Sequence, residues 1–569
     1  MDSTKVLLDD AQRIGFVSLC RVSMEFMIHE LEGIESRYTV GKKTLNNKDK
    51  KLVTVLNDCI GSMRSWSQTI IIKLYKHMEI SSDEQVMIEQ LTKHDVEPGD
   101  LARSLIDFGV INNADTNQDK IDIKWAAICD LFLLLISGSV YDSRSRTLLE
   151  NIGSALHISE LEITRFEKGV TEFLSSQNFD SLGDGFNGDF NDDNGQKAME
   201  TREKMNKTKK RLYMGVAAAG GGLVIGLSAG LMAPVIGAGL VAGFGGIGVG
   251  GVSGLVASTG GTAMITATGT AIGAKIGLDG MSKRMGDIKT FNFKPFYMAD
   301  RVNLIVTVPG WISSEIDDVR LPFSTVDPVM GDLYSLLWEP EMLQKTGDTF
   351  TVMAKNWLFK QGIQEILKQT VLGTLMASIK IPMALTQLGY LIDNPWHVSL
   401  DRAWACGKLL ADTLLQRNLG ARPVTLVGFS LGSRVIYSCL LELAKQKAYG
   451  LVQDVYLFGA PIVVKQAELV LGLTVVSGKL INGYSRKDWI LGYLFRTTNG
   501  GLGKVAGLAP VKGYPDQQSE KTNISENPTC GIINFDCTDF VGGHMNYRTC
   551  IPLLLKKLSW EVLNEDFEE

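Results

Sequence analysis

Gly428-Phe429-Ser430-Leu431-Gly432 fits G-x-S-x-G, the spacing of an activated serine. The five letters alone are a weak signal, and their setting carries the argument. The apolar run Val424 to Val427 precedes them and the helix-patterned "SRVIYSCLLELAKQK" follows. A strand-to-helix turn of this kind is tight, and Gly428 and Gly432 relieve its crowding so that a serine can be lifted above a sheet edge. The N-terminus of the following helix then points N–H groups toward developing negative charge.

A nucleophilic serine needs a base, and in this arrangement the chain order is serine, acid, histidine. Only His397 and His544 follow the long uncharged segment of the chain, and only His544 lies beyond Ser430. It occupies "DFVGGHMNYR", just past the apolar run Ile532 to Phe535, in a loop from which an imidazole could swing over the sheet. The acid that would fix its tautomer and stabilise the imidazolium is assigned to Asp488, in "LINGYSRKDWIL", with Asp536 and Asp539 as alternatives. Asp454 precedes its strand in this reading and would lie at the wrong sheet edge. Asp488 could instead pair with Arg486 or Lys487. An oxyanion hole needs two N–H donors. Leu431 follows the nucleophile, and the loop "VPGWIS" offers Trp311, or Ile312 if the loop is shifted by one.

Elements able to hold these residues are legible around them. From about residue 290 onward, "VNLIVTVPG", "DLYSLLWE", "VTLVGFS", "VQDVYLFGAP", "GKLINGYS" and "CGIINFDCT" alternate with helical stretches. That alternation implies βαβ units and a mainly parallel sheet, an α/β fold. The apolar stretch Leu367 to Pro395 lies between the strand-like runs and the elbow, as a lid or acyl-binding wall or as a core helix. Residues 8 to 176 place apolar side chains at three and four spacing and read as an all-α domain. Ser159 to Glu162 reads S-x-x-E, a capping box. His29, His77, His94 and His157 lack ligand spacing and read as ordinary helix-face residues.

Between these parts lie two segments of unusual composition. "NFDSLGDGFNGDFNDDNGQ" has no periodicity and reads as a linker; it lacks the bidentate Glu of a calcium loop. From Gly215 to Ala274 no residue is charged, about three times the roughly 20 residues that cross a bilayer. Gly222, Gly226 and Gly230, and again Gly246, Gly250 and Gly254, form stripes on which helices could pack closely. Basic residues flank both sides, "KMNKTKKR" before and Lys275, Lys283 and Arg284 after, which favours an even number of passes with both flanks cytosolic. The expected topology is a transmembrane hairpin over 212–232 and 235–257, with "GGTAMITATGTAIGAKIG" as a weaker third helix or surface segment. A soluble glycine-rich hairpin packed on the last domain is the alternative. The resulting division is 1–177 helical, 178–204 linker, 205–288 membrane segment and 289–569 α/β.

Bulk properties narrow the function classes. A chain of 569 residues suggests roughly three or four structural units. A formal charge of −6, with no large basic field, argues against nucleic acid as a partner. The eight cysteines show no zinc spacing and no dense disulfide framework, which fits a reducing compartment and no metal. "MDSTKVLLDDAQRIG" has neither the basic nor the apolar region of a cleavable signal.

On these residues the chain resembles the eukaryotic family of transmembrane and coiled-coil domain proteins related to transmembrane and coiled-coil domain-containing protein 4, whose C-terminal domain is α/β-hydrolase-like. The likeness rests on "VPGWI", "NPWHVSLDRAWACGKLLADTL", "RPVTLVGFSLGSRVIYSCLLEL", "YLFGAP", "NGYSRKDWILGYLFR" and "GHMNYR", in that order. It covers most of the chain from the glycine-rich segment to about Pro552 and, more loosely, the helical part. The resemblance implies a multi-pass membrane protein with a serine-hydrolase-like domain, and places Ser430, Asp488 and His544 at the triad positions. It supplies no substrate. "GFSLGSR" is also similar to lipase and thioesterase elbows, which fits an ester.

The expected function is therefore a membrane-associated serine esterase or lipase, without cofactor, on an endomembrane such as Golgi or ER. Its expected partners are the bilayer, a lipid or other ester, and a protein bound through the helical domain. The rival is a non-catalytic trafficking or scaffold protein that retains a hydrolase fold; the presence of serine, histidine and both elbow glycines favours the enzyme. A channel is disfavoured, because ionisable groups commonly mark intramembrane ion pathways.

Overall fold

The computed structural model describes residues 8–39, 46–94, 96–106, 110–112, 120–136, 141–183, 288–297, 301–313, 317–359, 383–498, 504–511 and 531–567. The glycine-rich segment expected to form a membrane hairpin lies outside these residues, as does most of the linker. Among the described residues no helix is long and apolar enough to cross a membrane.

The N-terminal part is helical, as its periodicity predicts. It comprises helices α1 (Asp10–Thr39), α2 (Asn47–His77), α3 (Ser82–Leu91), α4 (Pro98–Ile106), α5 (Ile123–Ile136), α6 (Ser143–Ala155) and α7 (Glu160–Gly183), and α5 packs against α2, α4, α6 and α7. Nearly every residue of α5 is buried, because a helix apolar on all faces must be covered on all sides. Its one acid, Asp130, meets the half-buried His77 of α2 at 2.8 Å, a packed helix-face contact. The box at the start of α7 forms: the Ser159 N–H donates to Glu162 and the Glu162 N–H to Ser159 Oγ. A short antiparallel pair, β1 (Val110–Asn112) with β2 (Lys120–Asp122), joins α4 to α5 and has no counterpart in the sequence reading.

The C-terminal part is an α/β layer structure around a seven-stranded sheet of order β3-β5-β4-β6-β7-β8-β9. Its strands are β3 (Phe291–Tyr297), β4 (Leu304–Val308), β5 (Asp332–Trp338), β6 (Val424–Phe429), β7 (Val452–Phe458), β8 (Lys479–Tyr484) and β9 (Gly531–Asp536). All neighbours are parallel except β3, which runs antiparallel to β5. The six parallel strands coincide with the six apolar runs. β3 escaped detection because "FNFKPFY" mixes polar residues with Pro295, a residue tolerated only at a sheet edge or bulge. It is one of the two edge strands, and its register shifts at Pro295. The central strands β4 and β6 are buried along their whole length, as strands covered on both faces must be.

Helices α8 (Pro340–Phe359), α9 (Met383–Leu415), α10 (Leu431–Lys445), α11 (Gln466–Leu473), α12 (Trp489–Thr498) and α13 (Asn546–Lys557) cover the sheet. The apolar insertion is helical from Met383 onward, as the start of α9; residues 367–382 lie outside the described ones. The N-terminal helices dock at the opposite edge from Ser430, near the beginnings of β7 and β8. There Ser143 Oγ meets Ser477 Oγ at 2.6 Å, the Arg146 guanidinium donates to Gln453 at 2.7 Å, and Cys59 Sγ donates to the Thr474 carbonyl at 3.1 Å.

Candidate active site

Ser430 sits between β6 and α10 with φ 51 and ψ −127, a backbone conformation that non-glycine residues rarely adopt. Neighbouring hydrogen bonds hold it there. Its N–H donates to the Phe458 carbonyl at 2.9 Å, tying the turn to the end of β7, and its own carbonyl accepts from the Ser433 N–H at 3.0 Å as α10 begins. The Ser433 hydroxyl donates to the carbonyls of Gly428 (2.8 Å) and Phe458 (3.0 Å), a brace the sequence reading did not single out. Gly432 is required by close approach: a Cβ there would collide with the Val308 carbonyl at the end of β4. A Cβ on Gly428 would press on Ile436 and the Gly432 backbone.

The structure brings Ser430, His544 and Asp488 into one hydrogen-bonded line. Ser430 Oγ lies 2.7 Å from His544 Nε2, and His544 Nδ1 lies 2.6 Å from Asp488 Oδ2. All three residues are fully buried. Asp488 ends the loop after β8, where its second oxygen accepts the Leu491 N–H at 3.0 Å and so caps α12. That bond fixes the carboxylate plane. The Ser485 hydroxyl donates to the Val541 carbonyl at 2.8 Å, joining the loop of the acid to the loop of the histidine.

The alternative acids lie elsewhere. Asp536, at the end of β9, accepts the Tyr484 hydroxyl at 3.1 Å and pairs with Arg486 at 3.3 Å. Burial would raise its pKa, but the hydrogen bonds from Thr538 and Tyr484 and the Arg486 charge outweigh it and hold the carboxyl below its ordinary value. Asp539 is exposed. Asp454 lies inside β7 rather than before it, near the strand's start and away from Ser430, where it accepts the Lys479 N–H at 2.7 Å.

The loop after β4 passes directly under the elbow. A Cβ on Gly310 would meet the Phe429 carbonyl, Ser430 Cβ at 2.5 Å and Leu431 N at 2.9 Å, so only glycine allows this approach. Among the described residues neither the Leu431 nor the Trp311 N–H has a protein acceptor, whereas the Ile312 N–H is directed to the Leu343 carbonyl at 3.4 Å. A buried ion pair fastens the loop to the helix that follows His544: Arg548 of α13 and Asp317, 2.5 Å apart. Arg548 also lies over the Trp311 ring, 5.8 Å from its centroid. The pair was not foreseen, because its partners lie 231 positions apart in the chain.

An aromatic wall closes the site. Phe350 of α8 stands edge-on to the His544 ring at 5.0 Å, flanked by Trp396 at 5.9 Å and Trp311 at 6.4 Å. Tyr547 lies 6.0 Å from His544, and burial, with the nearby Asp488 charge adding to it, keeps its phenol protonated well above the ordinary range. The seven described cysteines are unpaired thiols. Burial raises Cys439 of α10 well above the ordinary thiol value, which makes it a poor nucleophile. Among the described residues no group of His, Cys, Asp and Glu could hold a metal ion.

An α/β sheet carrying a buried Ser-His-Asp line is thus the structural class. The chain belongs to the family described as "Protein of unknown function (DUF726)", which matches residues 206–561. It is 42% identical to "Probable lipase MIL1" of Saccharomyces cerevisiae, over the whole of this chain and 56% of that protein. The "Uncharacterized membrane protein C6F6.13c" of Schizosaccharomyces pombe is 41% identical, over the whole of this chain and 72% of its own length. The "Transmembrane and coiled-coil domain-containing protein STS1" of Oryza sativa subsp. japonica is 31% identical, over 84% of this chain and 69% of its own. The chain therefore spans little more than half of the budding-yeast relative. No solved structure matches it.

Proposed function

We propose that the chain is a membrane-associated serine hydrolase that cleaves a lipid or other carboxylic ester, with an α/β-hydrolase-like fold. The observation that carries this reading is the line from Ser430 Oγ through His544 to Asp488, built at a strained strand-to-helix turn. As the serine oxygen attacks the ester carbonyl, His544 Nε2 takes its proton, and Asp488 holds Nδ1–H and balances the imidazolium charge. The N–H groups of Leu431 and Trp311 receive the oxyanion; the commitment of Ile312 N–H to Leu343 favours Trp311 over its neighbour. Collapse expels the alcohol, which takes the proton from His544. Water then attacks the acyl-serine, giving its proton to His544, and the acid leaves as that proton returns to Ser430. No step calls for a cofactor.

The names of the relatives, a lipase in one case and membrane proteins in others, support an ester substrate and a bilayer setting. The narrower kinship with transmembrane and coiled-coil domain-containing protein 4 is part of the same proposal, as are the division at 177, 204 and 288, the hairpin over 212–232 and 235–257, and an endomembrane location with both flanking domains cytosolic. Exposed Phe26, Ile72, Val86 and Met87 on α1 to α3 support a protein partner for the helical part.

The test is labelling of the full chain in native membranes with a fluorophosphonate. Wild type is expected to label at Ser430, and Ser430→Ala and His544→Ala to remain unlabelled. A folded wild-type protein that does not label would leave the scaffold reading in its place. Protease accessibility of both hairpin flanks in sealed vesicles tests the topology, and cleavage from opposite sides would exclude an even number of passes.

A further inference from the structure

Beside the closed site lies a second feature that the reaction does not use. A cavity of about 510 Å³ opens where β3, the end of β5 and helices α8 and α9 meet, within the size range of small-ligand sites. Lys289, Lys345 and Arg402 line it, and among the described residues none of the three forms an ion pair. One guanidinium nitrogen of Arg402 is buried without a hydrogen-bond partner, which is costly for a cation unless something arrives to accept the bond. Two carboxylates, Glu339 and Glu341, share the lining. Glu339 is already committed: its Oε1 accepts the N–H groups of Lys289 (2.5 Å) and Thr290 (3.1 Å). It does so from a left-handed backbone, φ 39, a strained conformation for this residue type. Its backbone also opens α8, so the positive end of a long helix faces the same space. The rim is apolar at Val398, which is 45% exposed.

The cavity and the catalytic line share the two helices between them. Thr346 and Ser399, whose hydroxyls meet at 3.1 Å, line the cavity, while Phe350 and Trp396, about one turn away on the same helices, form the wall over His544.

We propose that this cavity receives the phosphate of a lipid head group while the ester of the same molecule lies at Ser430, so that the substrate class is a phosphate-bearing glyceride rather than a neutral one. The substrate assignment rests on the hydrolase reading, and the phosphate site itself does not. A phosphate contributes several acceptor oxygens and negative charge, matching three unpaired cations and a helix start. The exposed valine at the rim favours a lipid over free phosphate.

The experiment uses the full chain in detergent with Ser430→Ala, so that nothing turns over, titrated with dioctanoyl phosphatidic acid, dioctanoylglycerol and inorganic phosphate. The phosphatidic acid is expected to bind more tightly than the other two. Arg402→Gln and Lys345→Gln, each confirmed folded by its thermal unfolding, are expected to weaken it by about tenfold or more and to leave dioctanoylglycerol unchanged. Lys345 is exposed, so its variant separates loss of binding from loss of fold. Unchanged phosphatidic acid binding in both variants would overturn the proposal, and phosphate binding as tightly as the lipid would overturn the lipid assignment. Fluorophosphonate labelling of wild type, run in parallel, keeps the two readings apart: binding without labelling refutes the hydrolase and not the phosphate site, and labelling without binding the reverse.

Discussion

At the C-terminal ends of the strands, Asp488 and His544 form a buried pair whose far nitrogen faces a serine hydroxyl, whereas at the N-terminal ends Arg146 is buried among acceptors that use it completely. Arg146 donates to Glu167 (3.0 Å), Gln453 (2.7 Å) and Thr164 (3.1 Å) and lies 3.1 Å from Glu150. Arg422 and Asp332, 2.5 Å apart, form a second buried ion pair at the same edge. Burial and charge are thus common to both ends of the sheet. What distinguishes them is whether the charged line stops at another protein group or at an atom able to react. The N-terminal edge spends its charges on fixing the helical layer to the sheet, and the C-terminal edge leaves Ser430 Oγ at the head of the line.

Changes at the two edges should therefore break different things. The largest effect is expected from Asp488→Asn, which keeps the shape but removes the charge and the tautomer control. Turnover of an activated ester should fall by about 10⁴-fold with thermal stability nearly unchanged. A drop below tenfold would show that Asp488 is only the cap of α12. Gly310→Ala comes next: its methyl group would displace the loop from Phe429 and Ser430 and carry the Trp311 N–H with it. Loss of one oxyanion donor costs about 10²- to 10³-fold in kcat, and that is the expected result for protein that still folds. An unchanged kcat would remove Trp311 from the oxyanion hole.

At the other edge the readout changes from rate to stability. Arg146→Met should destabilise the chain by about 3–5 kcal/mol in denaturant unfolding, because Glu167 is left buried without its partner. The folded fraction should keep wild-type kcat, and a selective loss of kcat would show that the two edges are coupled. The smallest effect is a pH dependence. Burial pushes the Glu150 carboxyl up to about 8, with Asp454 and Glu160 adding to it, against the pull of Arg146 and Lys479. The folded state therefore holds this proton more tightly than the unfolded chain does. Its stabilising contribution is complete below the ordinary Glu pKa and is lost as pH rises toward the folded value. Glu150→Gln should flatten the fall in unfolding temperature between the ordinary Glu pKa and about pH 8, while an equally steep fall in the variant over that range would assign the effect to other groups.

How much of this was legible in the sequence follows from how local each signal is. Ser430 could be singled out because its neighbours in sequence, an apolar run, two glycines and a helix pattern, are also its neighbours in space. His544 followed by elimination, since no other histidine lies downstream. Asp488 was chosen by its place after a strand and by the family resemblance, with Asp536 and Asp539 as alternatives, and only the fold shows that the strand ends turn Asp536 toward Tyr484 and Arg486 instead. The parallel strands were readable because burial on both faces demands unbroken apolar runs. The edge strand β3, which needs no such run, was not.

The sequence by itself determined the alternation of strands and helices, the elbow, and the candidates for nucleophile and base. These depend on backbone sterics and on hydrophobic spacing over a few residues. Only the tertiary structure decided which acid faces His544, which loop N–H groups lie free beside Ser430, and that Phe350 and Trp396 close the site. It alone paired Arg548 with Asp317, set the helical layer on the far edge of the sheet, and gathered Lys289, Lys345 and Arg402 around one cavity without an ion pair among the described residues. Each of those outcomes depends on distances between residues tens or hundreds of positions apart, and such distances are fixed only when the layers pack.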